Sequence, residues 1–267
     1  MKKTDLIPPV ITRYLYRRSG LASNTWSGDY ASWEEALKHS DGYDGLEIME
    51  RVKAATLKVK NGEAAFERDS VLFDRIEYNW PLLASLLWAA AQQEGVLNVL
   101  DFGGSLGSAY FQNRKFTAGL NKTRWNVVEQ EHMVECGNEL FRNEELIFYA
   151  SIENCVKAEH PTVFLFSSVL QYLRNPYETI ESAMESRPMF IIVDNTPFLE
   201  KGNDRITIQK VNPKIYKASY PCWFFNQGRF LDFFRALYTN VAEFESDSSV
   251  RPGGDQVAYH GFLFRRR

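Results

Sequence analysis

The segment Val99-Leu100-Asp101-Phe102-Gly103-Gly104-Ser105-Leu106-Gly107 decides the fold. It ends a short apolar run, 96–102, and opens an amphipathic stretch, 108–119. Small residues at such a turn let the backbone approach a ligand and adopt dihedrals that a Cβ disfavours. In doubly wound sheets, ligands sit at the carboxyl ends of strands near a switch in strand order.

Downstream, apolar runs recur at 125–128, 146–149, 162–166 and 189–193. Between them, 131–141, 152–158 and 177–185 can each hold a helix. Strands alternating with helices predict right-handed βαβ units and a mainly parallel sheet covered on both faces. After an amphipathic stretch at 230–238 come strand-like runs at 240–244 and 257–264. The linker 247–256 holds Pro252-Gly253-Gly254, so these runs predict a terminal antiparallel hairpin.

Upstream the pattern differs. Residues 1–30 read as an irregular arm in which Tyr14, Leu15 and Tyr16 pack on the body. Ser32-Trp33-Glu34-Glu35 has the form of a capping box, opening a helix that runs to about Lys38. Asp44-Gly45-Leu46-Glu47 repeats that logic, followed by Ile48, Met49, Val52 and Ala55 at helical spacing. Two more helices are predicted, over 63–76 and from Trp80-Pro81 onward. The expected division is a helical extension over 1–93 and a Rossmann-like domain over 94–267.

Bulk properties bound the function. The 267 residues are 45% hydrophobic and 24% charged, ordinary for a soluble globular protein. A net charge of −3 gives no overall basic footprint for nucleic acid. Cys136, Cys155 and Cys222 form no C-x-x-C pair, and His39, His132, His160 and His260 form no metal-binding spacing, so no metal is expected. Lys2 and Lys3 lead into no signal-peptide core, and no apolar run is long enough to span a bilayer. A cytoplasmic protein with no membrane insertion is expected.

Glu129 ends the second predicted strand. A carboxylate there can accept hydrogen bonds from both hydroxyls of a ribose. Together, Asp101-x-Gly103-x-Ser105-x-Gly107 and Glu129 resemble the first motifs of class I S-adenosylmethionine-dependent methyltransferases, with Ser105 in place of the middle glycine. More of the chain resembles a bacterial methyltransferase family associated with surface-polysaccharide gene clusters. The matching stretches include Gly28-Asp29-Tyr30, Gly42-Tyr43-Asp44, Glu67-Arg68-Asp69-Ser70-Val71-Leu72-Phe73, Ser167-Ser168-Val169-Leu170-Gln171-Tyr172-Leu173 and Ala218-Ser219-Tyr220-Pro221.

The resemblance implies a class I methyltransferase fold: a mainly parallel seven-stranded sheet, a final antiparallel hairpin and an N-terminal helical extension. It implies S-adenosylmethionine as cofactor and a small-molecule acceptor, a sugar or polysaccharide precursor. Asp101 and the backbone of Gly103, Gly104, Ser105 and Gly107 would cradle the amino-acid end of the cofactor. Glu129 would hold the ribose, with Gln130, Ile152 and Glu153 around the adenine. Ser167, Ser168 and Gln171 would face the reacting centre. Arg68 and Asp69 would clamp a polar acceptor, beneath an aromatic lid of Tyr30, Tyr172, Tyr216, Tyr220 and Trp223. A hydroxyl acceptor benefits from a general base, for which Asp194 and His260 are candidates.

Other readings stay open. Gly103-Gly104-Ser105-Leu106-Gly107 spells G-x-S-x-G, and Asp194 and His260 follow in the order of a serine hydrolase. No strand series or oxyanion-hole glycine cluster precedes it, however. A nicotinamide dehydrogenase would need a third spaced glycine where Ser108 stands. A cofactor-binding protein without turnover would share the scaffold, since fold does not guarantee activity.

Overall fold

The computed structural model describes residues 24–42, 45–68, 70–211, 218–250 and 257–267. The expectations for the 14–16 arm, Asp44, Asp69, Tyr216 and the 251–256 part of the turn lie outside these residues. The chain begins with β1 (Thr25–Tyr30), α1 (Trp33–Lys38), α2 (Gly45–Lys60), β2 (Phe66–Arg68), β3 (Val71–Phe73) and α3 (Trp80–Ala91). The alternating series follows: β4 (Val96–Phe102), α4 (Ser108–Thr117), β5 (Lys122–Val128), α5 (Glu131–Leu140), β6 (Leu146–Tyr149), α6 (Ile152–Glu159) and β7 (Val163–Ser167). Then come a 3-10 turn (Leu170–Tyr172), α7 (Pro176–Glu185), β8 (Phe190–Leu199), β9 (Arg205–Lys210), β10 (Ser219–Asn226), α8 (Gln227–Phe234), β11 (Tyr238–Val250) and β12 (Val257–Arg266).

Strands β6-β5-β4-β7-β8 run parallel in that spatial order. The antiparallel hairpin β11-β12 closes the sheet against β8. The first strand of the series thus lies in the middle, and the order reverses between β4 and β7. The mainly parallel sheet and final hairpin are those the alternating pattern predicts, and their order is that of the class I methyltransferase fold that the resemblance implies. A crevice opens at such a reversal, because the connections leave the two strands in opposite directions.

Alternation along the strands separates two cores. Val99, Trp125, Val127, Leu165 and Ile192 face α3, α4 and α5, meeting Leu86, Phe111 and Met133. Leu100, Val128, Phe164, Phe166 and Ile191 face the other way, toward Ile152, Ile180 and Phe234. Phe234 stacks on Phe264 with centroids 4.1 Å apart. Burying one such side chain stabilises the fold by roughly 2–3 kcal/mol.

Among the described residues, the structure adds three strands to the predicted seven, giving a ten-stranded sheet. β8 is long enough to change partners: Phe190–Asp194 pair with β7, while Phe198 and Leu199 pair with β10. β9 and β1 then extend the sheet antiparallel. Pro221 is tolerated in β10 because β8 bonds that strand only at Phe225 and Asn226. β1 replaces the last part of the expected arm. A bulge between Ser27 and Tyr30 breaks its alternation and hides it from a period-two reading.

The helix expected over 63–76 is instead a small hairpin. β2 and β3 pair Phe66 with Phe73 and Arg68 with Val71, turning through Ser70 at φ 66°. Packing of the Phe66 and Phe73 rings, with centroids 5.8 Å apart, overrides the local helical spacing. The predicted cap at Ser32 is present: its Oγ accepts the Glu35 N–H at 3.1 Å. Glu35 reaches back to the Ala31 N–H at 3.0 Å, one residue before the expected partner.

Candidate functional site

The turn after β4 is shaped by contacts that leave no room for side chains. Gly103 has φ +70°, and a Cβ there would lie 2.4 Å from Val169 Cγ2. Gly104 packs against the carboxyl of Asp101, where a Cβ would lie 2.5 Å from Oδ2. Ser105, standing where the family motif has glycine, keeps a left-handed conformation at φ 55°. Gly107 is the N-cap position of α4.

Asp101 is buried and accepts a hydrogen bond from Trp125 Nε1 at 2.9 Å. Burial pushes its carboxyl up to about 7, with a smaller push from Glu129 and an opposing pull from Trp125. Glu129 lies just past β5, half-buried. Its carboxylate accepts the backbone N–H of Gln130 at 2.9 Å, and the backbone N–H of Ser105 lies near it. Burial raises its pKa, and those N–H groups oppose the rise.

Beside this pair is a cavity of about 560 Å³ at the carboxyl ends of β4, β5 and β6. Phe102, Val128, Ile152 and Leu173 give it apolar walls, and Glu129, Gln130 and Glu153 give it polar edges. The opposite rim is formed by Glu178, Thr179 and Ser182 of α7. Gln130, Ile152 and Glu153 are thereby brought together with Glu129. Glu153 sits in the first turn of α6, which Ser151 caps by accepting the Asn154 N–H at 3.2 Å.

A second polar cluster stands where β7 ends beside the middle of β8, between the β7-paired and β10-paired parts of that strand. Asp194 Oδ2 accepts from Ser167 Oγ at 2.8 Å and Asn79 Nδ2 at 2.9 Å. Burial raises the Asp194 pKa, while these donors, the Asn195 N–H and the charge of Arg68 oppose the rise. The Ser168 N–H donates to the Asp194 carbonyl at 3.0 Å. Ser168 (φ 57°) and Asn195 (φ 47°) are both left-handed, as strained backbone at functional sites often is. Gln171 Nε2 donates to the Asn195 carbonyl at 3.4 Å.

The other predicted residues are divided. His260 faces Glu243 at 3.4 Å and packs its ring near Phe198 and Phe262, in the aromatic core. The Ser105, Asp194, His260 arrangement of the rival hydrolase reading is not assembled, since Asp194 accepts from Ser167 and Asn79 while His260 faces Glu243. The aromatic lid is split as well. Tyr220 lies beside Gln209, which lies beside Trp26, in one cross-strand row. Tyr172 Oη donates to Gln209 Oε1 at 3.0 Å and its ring meets Tyr220 edge-on. Tyr30 and Trp223 both flank Ile206 in another row, and the three pack in one cluster with Trp33. Trp223 Nε1 donates to the Leu173 carbonyl at 2.9 Å, at the edge of the cavity. Strand alternation puts Tyr220 and Trp223, three residues apart, on opposite faces.

Sequence reasoning missed Asn79 and Glu67. Asn79 caps α3 by accepting the Leu82 N–H at 3.2 Å while its amide nitrogen holds Asp194. The helix start signal, Trp80-Pro81, lies one residue past it. Glu67, 2% exposed, accepts from Ser108 Oγ at the start of α4. It ties the β2-β3 hairpin to the glycine loop, and the incorrect helix over 63–76 concealed it. Arg68 lies over the Phe66 and Phe73 rings at 5.9 Å. Among the described residues, no group of three or more His, Cys, Asp or Glu side chains is placed to hold a metal. No described helix is long and apolar enough to cross a membrane.

No family model and no curated protein sequence matches the chain. Solved structures resemble it at low similarity. The N-terminal domain of EvdMO1, crystallised in the presence of SAH and D-fucose, shares 14% identity over 85% of this chain and 98% of its own, with a TM-score of 0.48. Burkholderia thailandensis 1,6-didemethyltoxoflavin-N1-methyltransferase, with 1,6-didemethyltoxoflavin and S-adenosylhomocysteine bound, shares 14% over 84% and 91%, with a TM-score of 0.41. Magnesium protoporphyrin IX methyltransferase from Synechocystis PCC 6803, with SAM bound, shares 12% over 85% and 86%, with a TM-score of 0.45. The strand order of this chain, rather than these distant likenesses, carries the reading of its fold.

Proposed function

We propose that this chain binds S-adenosylmethionine and transfers its methyl group to an oxygen or nitrogen atom of a small molecule. The supporting observation is the Glu129 carboxylate at the edge of a cavity over the carboxyl ends of β4, β5 and β6, beside the glycine-rich loop. The residues present fit the cofactor. A carboxylate at the end of β5 suits two ribose hydroxyls, and Phe102, Val128, Ile152 and Leu173 suit the faces of a purine ring. Glu153 is placed to accept from an exocyclic amine. A cavity of this size is typical for small-molecule ligands. Asp101 and the loop backbone from Gly103 to Gly107 would hold the amino-acid end.

When bound, the cofactor supplies a methyl group already activated on a sulfonium. The chain's own residues supply alignment and dryness. Ser167 ends β7 and Ser168 follows it, next to the loop, so the acceptor would approach past the carboxyl end of β7. Asp194 is the better placed of the two candidate bases, since it contacts Ser167, whereas His260 is held in the aromatic core. Burial raises the Asp194 pKa, which strengthens its ionised form as a proton acceptor. Arg68 would clamp the acceptor. A sugar or surface-polysaccharide precursor, in the cytoplasm, is the acceptor class that the sequence resemblance favours.

The test is incubation of the protein with S-adenosylmethionine and a dialysable metabolite extract, read by mass spectrometry. New species heavier by one methylene unit, with matching S-adenosylhomocysteine, are expected. Binding of the cofactor without any methylated product would remove the catalytic part of the reading.

A further inference from the structure

Glu67 is a buried carboxylate outside the set of residues that would hold the cofactor or accept the proton. Its Oε1 accepts from Ser108 Oγ, and its Oε2 accepts the Ser70 N–H at 3.3 Å. Ser108 is the first residue of α4 and follows Gly107, an N-cap with no side chain to offer that helix. The unpaired N–H groups of a helix N-terminus favour a carboxylate nearby. Glu67 thus brings from β2 the negative charge that the cap residue lacks. Among the described residues, β2 and β3 pair with each other and with no other strand. Two strands of three residues are marginal alone, so what the hairpin touches sets its place. β2 contacts α2 and α4, with Phe66 buried, while Val71 and Leu72 of β3 are exposed. Successive strand residues point to opposite faces. Glu67 meets Ser108 on one face; Arg68, on the other, lies over the Phe66 and Phe73 rings, and its charge favours the ionised form of Asp194. Two adjacent residues of one short strand therefore act on the glycine loop and on the acceptor cluster.

We propose that Glu67 is a positioning residue: through Ser108 it seats the β2-β3 hairpin on the cofactor loop, so that cofactor binding firms the hairpin and sets Arg68 at the acceptor end of the site. The inference rests on the methyltransferase reading above and adds a coupling between the two halves of the site. The backbone from Gly103 to Gly107 and the first turn of α4 become fixed when the cofactor occupies them. A fixed Ser108 hydroxyl holds Glu67 more firmly, and β2 carries the effect one residue on, to Arg68. Coupling between two sites is reciprocal, so a seated hairpin also tightens cofactor binding. Loss of the Glu67–Ser108 bond then weakens the cofactor although neither side chain need touch it. The acceptor meets a complete site only after the cofactor has bound.

The test compares wild type with Glu67→Gln, Glu67→Leu, Ser108→Ala and the double variant Glu67→Leu/Ser108→Ala. Two quantities are read: S-adenosylhomocysteine affinity by calorimetry, and amide exchange in β2 and β3 with and without that ligand. In wild type the ligand should slow exchange in β2 and β3 by about fivefold or more. Glu67→Leu and Ser108→Ala should each bind the ligand roughly tenfold more weakly and lose most of that slowing. Glu67→Gln keeps an oxygen that can accept from Ser108 Oγ, so it should lie nearer to wild type than Glu67→Leu in both readings. The double variant should bind no more weakly than either single one, because all three lack the same bond. A merely structural role would lower melting temperatures and leave the affinity of the folded protein unchanged. If Glu67→Leu fails to fold, Ser108→Ala alone still reads the bond. Hairpin exchange indifferent to bound ligand in wild type would overturn the proposal. So would affinity losses that add independently in the double variant. Wild type that binds no S-adenosylhomocysteine is a different result, which removes the underlying reading.

Discussion

The carboxylate of Glu129 accepts the N–H of Gln130 at 2.9 Å and is favoured in its charged form by the nearby N–H of Ser105, so the residue after β5 meets the loop after β4. One carboxylate thus holds the loop in shape and faces the cavity beside it. Removing it should loosen the loop without unfolding the sheet. In Glu129→Ala, amide exchange at Ser105 should accelerate by roughly tenfold or more, as expected for loss of a charged hydrogen bond. Exchange in β4 and β5 should stay at wild-type rates. Unchanged protection at Ser105 would show that the contact does not order the loop.

Gly103 combines a positive φ with a close approach to Val169. Gly103→Ala should destabilise the fold by roughly 1–3 kcal/mol through backbone strain and overpacking. Val169→Ala in the same chain should restore only the packing share, because the dihedral strain remains. Thermal melting of the single and double variants measures both parts. A neutral Gly103→Ala substitution would contradict the loop geometry.

Asp101 links stability to pH. Burial pushes its carboxyl up to about 7 from an ordinary 3.8. Between those values the folded chain holds a proton that the unfolded chain has released. Stability from this group is therefore full below about pH 4 and declines as pH rises through about 7. Asp101→Asn removes the titration and keeps an acceptor for Trp125. Relative to wild type, the variant should gain melting temperature at about pH 8 and lose that advantage near pH 4. Parallel pH profiles for the two proteins would refute an ionisable, penalised Asp101.

The strands of the parallel series were legible because each is a short apolar run bounded by turn residues, from 96–102 to 189–193. The loop and Glu129 were legible because their chemistry is local and their spacing is set by one βαβ unit. The β1-β9-β10 ribbon was not. Its strands pair across long separations, with Trp26 opposite Gln209, and the bulge near Gly28 and Pro221 in β10 both mimic loop signals. The β2-β3 hairpin was hidden by helical spacing that the Phe66–Phe73 contact overrides. Which side of a strand a residue faces also decided the fate of the aromatic lid. Tyr220 and Trp223 look like neighbours in sequence but stand on opposite faces.

The serine-hydrolase reading makes its own prediction. Ser105 has no histidine in attendance, since His260 faces Glu243 and packs against Phe198. A fluorophosphonate probe should leave Ser105 unlabelled at concentrations that label a known serine esterase. Stoichiometric modification at Ser105, located by peptide mass spectrometry, would revive that chemistry.

The most direct test is isothermal titration of S-adenosylhomocysteine into the wild-type chain and Glu129→Ala. The cavity predicts saturable binding at one site in wild type, competed by S-adenosylmethionine. Two lost ribose hydrogen bonds predict an affinity weaker by roughly tenfold to a hundredfold in the variant. No measurable heat with wild-type protein at any soluble concentration of ligand would contradict the account.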